Sequence, residues 1–211
     1  MSRPSPSRTI TARRNALSEQ EIVATALEII KRAGVDGLTM RMLSDSLGVA
    51  LGATYKHVPN KDELMRLVAH ELYSRIHPTG QQVRDPLDSV RSLLIRFEEV
   101  FSAYPGMASY LSQHFIELTP PHLTKAMRDA LFEAGFPEVG VARVMRAVFF
   151  YTSGAMLTTL PDKRGRKQEA AQFADGLDIV LAGVRLELER RRAGRGRGGR
   201  GASASPSRTS S

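Results

Sequence analysis

Between Leu38 and Lys61 the chain gathers side chains suited to holding phosphate and none arranged to break bonds. Lys56, His57 and Lys61 fall close together there. Lys61 stands where a helix is predicted to begin, among backbone N–H groups that have no partner within the helix. A cation in a first turn opposes the helix dipole by roughly 0.3–1 kcal/mol. An ammonium beside free N–H groups makes an anion site that a phosphate fills. Lys56 suits the same role, and His57 less well. Catalysis has no comparable constellation. The histidines His57, His70, His77, His114 and His122 form no nucleophile–base set. His70-Glu71 followed by His77 lacks the H-E-x-x-H spacing, and two histidines seven apart on a helix lie about 10 Å apart along its axis, too far to share a metal. No enzyme activity, cofactor or metal is expected. The chain has no cysteine, so disulfides and thiolate sites are excluded.

The elements that must position these residues are short helices. In LTMRMLSDSLGVALGATYKHVPNK, Thr39 can cap a helix whose apolar residues Met40, Leu43 and Leu47 share one face. Gly48 stops that helix, because glycine takes the left-handed conformation without a Cβ clash. A second helix of about two turns is predicted from Ala50 to His57, closed by Pro59. Asn60 and Glu63 form the capping pair of the next helix, predicted to reach about Ile76. Two helices joined by a three-residue turn form a helix-turn-helix, whose second member is sized for the DNA major groove. Upstream, Ser18 and Glu21 read as a capping box. Ile22, Ala26, Ile29 and Ile30 line the helix that follows, and Gly34 is expected to end it.

The run from Leu17 to Ile76 resembles the DNA-binding domain of the tetracycline-repressor (TetR) family of bacterial transcriptional regulators. The likeness rests on ALEIIKRAGVDGLTMRMLSDSLGVA and ATYKHVPNKDELM, a pattern of about sixty residues. It implies an N-terminal helix-turn-helix head and a larger C-terminal domain for ligand binding and dimerisation; the chain's own pattern, with no strand pair, reads as all-α with about nine helices. The resemblance also implies a dimeric, ligand-responsive regulator, a repressor, that binds a near-palindromic double-stranded DNA operator and is released by a small molecule. By the same resemblance Tyr55 and Lys61 match positions that meet phosphates, and Thr39 and Arg41 match positions that meet the backbone or a base edge. The chain departs from the family at Ala50, Leu51 and Gly52, where hydroxyl or amide side chains are usual. Direct readout would then rest on contact of Leu51 with thymine methyls, together with Thr54 and Arg41.

Charge is concentrated at the ends. The formal net charge is +8. Arg3, Arg8, Arg13 and Arg14 lie in residues 1–16, and Arg195, Arg197, Arg200 and Arg208 in 193–211, with no acid in either segment. Those arginines account for the whole excess, so the remainder is neutral. Residues 1–16 are expected to form a disordered basic arm, whose Arg13 and Arg14 could reach an adjacent groove, and 193–211 a disordered Arg/Gly/Ser tail. A nucleic-acid-binding protein led by that Arg-Gly tail is the competing reading, with a helical enzyme behind it. The longest uncharged run near the C-terminus, Ala147 to Leu160, suits a buried helix better than a bilayer span. A cytoplasmic, nucleoid-associated protein without membrane contact is expected.

Between the ends, 17–77 is assigned to the DNA-binding domain and 78–192 to the effector-binding and dimerisation domain. Pro86, Pro121 and Pro137 each open a helix there, and a last helix is predicted from about Gln168 to Arg191. Phe173, Leu177, Val180, Leu181, Val184 and Leu188 form one stripe on that last helix, expected to meet a second copy with Ser153 and Gly154 of the helix before it. Because the family encloses its ligand in this region, the resemblance implies an apolar or aromatic effector, with Phe101, Met107, Tyr110, His114 and Phe149 as its predicted contacts.

Overall fold

The computed structural model describes residues 17–77, 85–158 and 165–198, except the side chains of 115–117 and 194–198. Among the described residues there are nine helices and no strand, and none of the helices is long and apolar enough to cross a membrane. Helix α1 (Glu19–Gly37) opens on the expected box: Ser18 Oγ accepts the Glu21 N–H at 3.2 Å and the Ser18 N–H reaches the Glu21 carboxylate at 3.1 Å. Its regular course ends at Gly34, as expected, where the backbone leaves helical geometry at φ 73°; a single separate turn up to Gly37 follows, with the Val35 N–H donating to the Pro105 carbonyl at 3.0 Å instead of into the helix.

Helices α2 (Met40–Leu47) and α3 (Leu51–His57) are the predicted pair. Thr39 Oγ1 accepts the Met42 N–H at 3.1 Å, and Gly48 turns the chain at φ 67°, its N–H shared between the Ser44 and Asp45 carbonyls. Helix α4 (Lys61–Ser74) starts at Asn60, whose Oδ1 accepts the Glu63 N–H at 2.7 Å. It stops two residues before the predicted end, with Ile76 still buried.

The larger part comprises α5 (Pro86–Phe101), α6 (Met107–Leu118), α7 (Pro121–Ala134), α8 (Glu138–Thr158) and α9 (Arg166–Gly198). Helix α6 bends at His114. The basic stretch after Arg191 does not break α9, so residues 193–198 of the expected disordered tail are helical. Once a helix exists, each further residue adds a hydrogen bond without a new nucleation step. Arg192 also anchors this turn by donating to the Ala134 carbonyl at 3.0 Å. The rest of the tail lies outside the described residues.

Two apolar cores hold the helices together. The first joins α1, α2 and α4 to Leu93, Val100 and Phe101 of α5 and to Met107 and Leu111 of α6. The second packs Leu87, Val90 and Leu94 of α5 against α7, α8 and α9. Arg185 of α9 also reaches Asp85 at 2.8 Å and Asp88 at 2.6 Å, and Arg91 reaches Asp178 at 2.6 Å, which ties α9 to α5. Partial burial pushes the Asp85 carboxyl up, but hydrogen bonds from Arg185 and the Leu87 N–H outweigh it and hold it below the ordinary range.

Candidate nucleic-acid interface and effector cavity

Helix α3 presents one wall to solvent and turns the other inward. Leu51, Gly52, Tyr55, Lys56 and His57 are exposed. Thr54 is not available to a base edge, contrary to the sequence expectation: it is fully buried, with Oγ1 2.8 Å from Ser44 Oγ. Ser44 spends its one proton on the Met40 carbonyl at 2.8 Å, so Thr54 is the donor of the pair. The bond fixes the angle between α2 and α3 from inside. Sequence spacing does not show it, because a threonine in the middle of a two-turn helix reads equally well as surface.

Around α3 the head displays cations without carboxylate partners among the described residues. Arg66 and Arg75 are paired with Glu63 and Glu71. Arg41 and Lys56 are exposed and unpaired. Lys61 Nζ donates to the Val35 carbonyl at 3.3 Å, which aims the ammonium along the C-terminal end of α1 and leaves it two further protons. Thr39, also exposed, uses its oxygen as a helix cap and keeps its O–H proton free. Beside them, exposed Met42 and Leu51 add apolar surface. Met42 is a surface residue that the sequence pattern does not single out. Arg13 and Arg14 lie outside the described residues.

Below the head, a cavity of about 270 Å³ opens between the two cores. Its wall includes Tyr73 from α4 and Ile76 just beyond it, Leu93 and Phe97 from α5, Leu111 from α6, Met127 from α7, and Phe149, Thr152 and Ser153 from α8. Burial pushes the Tyr73 phenol pKa up, opposed by its hydrogen bond with Thr119 at 3.3 Å, so the phenol stays neutral at pH 7.

Of the five predicted effector contacts, Phe149 alone borders this cavity. Phe101 and Met107 are fully packed in the first core, where Phe101 meets Tyr73 edge-on at 5.1 Å. Tyr110 and His114 stack on each other at 4.4 Å, and the Tyr110 carbonyl lies 2.9 Å from His114 Nδ1. Neither borders the cavity. Composition marks these aromatics, but it does not say which of them faces the cavity.

The predicted dimer stripe faces inward, a correction to the sequence expectation. Phe173, Leu177, Leu181, Val184 and Leu188 are buried in the protomer's own second core, and Val180 packs against it. Ser153 faces the cavity. The stripe holds α9 onto α5, α7 and α8, so folding itself consumes it. A second apolar row remains outside. On α9 it carries Ile179 and Leu186, 75% and 48% exposed, with Gly183 between them. On α8 it carries Phe150 and Leu157, with Gly154 between. A Cβ built on Gly154 or Gly183 meets nothing within 4 Å.

Comparison with known proteins agrees with this architecture. The profile of bacterial regulatory proteins of the tetR family matches residues 22–68. Tetracycline repressor protein class C from Escherichia coli is 31% identical over 149 residues, covering 68% of this chain. The alignment spans 66% of that relative, just under two thirds of its length. Among solved structures, BioQ with its double-stranded DNA operator superposes with a TM-score of 0.64 at 24% identity, covering 80% of this chain and 98% of that one. Streptomyces coelicolor ActR in complex with actinorhodin gives 0.65 at 20% identity, covering 81% and 96%. At those identities the two structures speak for the fold alone.

Proposed function

Because the chain belongs to the TetR family of bacterial regulatory proteins, we propose that it is a ligand-responsive transcriptional repressor that binds a near-palindromic double-stranded operator as a homodimer. One observation carries this reading: α3 is pinned from within by Thr54 while Leu51, Tyr55, Lys56 and His57 stand free on its outer wall. A helix held so firmly yet so uncovered has the geometry of a groove reader. Tyr55, Lys56, Lys61 and the Thr39 hydroxyl hold phosphates, and Arg41 reaches a phosphate or a base edge. His57 adds a weaker contact. With Thr54 withdrawn, sequence is read by Leu51 and Met42 against thymine methyls, the base feature open to apolar side chains.

The homodimer forms through the outer row of α8 and α9, two helices from each copy making a four-helix bundle around a two-fold axis. Such an axis sets paired heads about one helical turn of DNA apart, roughly 34–36 Å. Proteins of this fold have been solved with a double-stranded DNA operator and with actinorhodin, which supports a DNA partner and a small-molecule effector, and we assign the effector to the cavity. Helix α4 both lines the cavity and carries Lys61, and α6 lines it just after the Pro105 carbonyl that holds Val35. An effector releases DNA only by favouring the head spacing that does not fit the operator.

Selection of bound duplexes from a random pool tests the reading. A two-fold-symmetric consensus is expected. An asymmetric site, or preference for single-stranded RNA over every duplex, would overturn it.

A further inference from the structure

Thr152 Oγ1 is a fully buried hydroxyl with no hydrogen-bond partner among the described residues. A threonine within a helix can donate to the carbonyl one turn back. Thr152 does not, and its side chain stands on the wall of the cavity. Most of that wall is hydrocarbon and aromatic ring: Ile76, Leu93, Phe97, Leu111 and Phe149. The Tyr73 phenol is already engaged with Thr119. The other hydroxyls on the wall, Ser112, Thr119, Thr124 and Ser153, are half-buried, and Ser112 and Thr119 are engaged with Ser109 and Tyr73; Thr152 supplies the buried unpaired hydroxyl, the complement of one polar atom on a ligand.

Volume narrows the class further. A cavity of about 150 Å³ takes a benzene, so the 270 Å³ here suits two fused rings better than four. Charge narrows it again. Arg146, the one cationic side chain on the wall, is exposed, and an ionised group deep in the cavity would have no counterion.

On the reading that this cavity holds the effector, we propose that the effector is a neutral two-ring aromatic molecule bearing a single hydrogen-bonding oxygen, and that the Thr152 hydroxyl is the residue that selects it. The oxygen meets Thr152 Oγ1 while the rings lie against Phe97, Leu111 and Phe149.

The test uses the full-length protein and two probes that differ by one hydroxyl, 2-naphthol and naphthalene. Their affinities are measured by calorimetry or by displacement of an environment-sensitive dye, for wild type and for Thr152→Val. Wild type should bind 2-naphthol roughly tenfold more tightly than naphthalene, the worth of one ordinary hydrogen bond. Thr152→Val, close to isosteric, should abolish that preference and leave naphthalene binding unchanged or tighter. Its melting temperature without ligand should not fall, because the hydroxyl it removes has no partner to lose. An unchanged preference in Thr152→Val, equal binding of the two probes to wild type, or binding of neither would overturn the assignment. Operator binding is followed in parallel. Thr152-dependent 2-naphthol binding that leaves the operator complex intact would uphold the cavity chemistry and refute its role in DNA release.

Discussion

If the outer row of α8 and α9 is the dimer face, replacing Ile179 by alanine should separate the protomers without unfolding them. In the protomer this residue is 75% exposed, so about three quarters of its side chain awaits burial. The change deletes three carbons, about 2.4 kcal/mol at ~0.8 kcal/mol each when fully buried. Scaled to the area that dimerisation would cover, that is about 1.8 kcal/mol per protomer. A two-fold axis uses the residue twice, so the dimer should lose about 3.5 kcal/mol, a weakening of roughly three-hundredfold. Sedimentation velocity over a dilution series reads this directly, and the melting curve of the separated protomer should keep a cooperative transition. Leu181 provides the contrast. It is fully buried in the protomer, so Leu181→Ala should cost about 2–5 kcal/mol of folding stability and lower Tm by roughly 5–15 °C. The reasoning fails if Leu181→Ala yields a stable folded monomer while Ile179→Ala remains dimeric at every concentration. That outcome would return the interface to the inner stripe.

The remaining predictions concern DNA and pH. Lys61→Ala should weaken binding to all duplexes about equally and reduce the salt slope by about 0.9 for each phosphate that the ammonium neutralises; a change in sequence preference on titration against a duplex panel would refute its phosphate role. In the selected operator, replacing thymine by uracil at the positions facing α3 should weaken wild-type binding by about 1 kcal/mol per site in a gel-shift assay, and Leu51→Ala should be indifferent to the replacement. Burial pushes the Glu98 carboxyl up, its Ser102 hydrogen bond opposing, with Glu99 and Glu169 raising it and Arg166 lowering it. Since the folded pKa lies above the unfolded one, Glu98 favours folding below the ordinary glutamate range and loses that contribution as pH rises through the folded value. Glu98→Gln should therefore raise Tm at pH 7, with the gain shrinking toward pH 4, as read by calorimetry across that range.

Short-range chemistry is what the sequence makes legible. Ser18, Thr39 and Asn60 cap the helices that their spacing assigns to them, and Gly48 turns where a left-handed residue is needed. These features depend on neighbours within four positions, so they survive without knowledge of the rest of the chain. The misplacements share the opposite dependence. Thr54 is buried because Ser44, ten residues away, sits under it. The α9 stripe is consumed by α5, α7 and α8, and periodicity alone does not say whether an apolar face meets its own protomer or another. Phe101 and Phe149 have the same composition signature, yet one fills a core and the other borders a void. Met42 escapes notice because an apolar residue in a short helix reads as core, whereas its exposure makes it surface.

The cavity wall draws Tyr73, Ile76 and Leu93 from one packed unit and Leu94 and Val148 from the other. Along that stretch the two units face an interior gap instead of interlocking side chains, so relative tilting there sacrifices little dispersion attraction. A molecule lodged in the gap supplies the missing attraction to both sides at once. Binding energy is thereby converted into stiffness between the half that carries α3 and the half that carries the outer rows of α8 and α9.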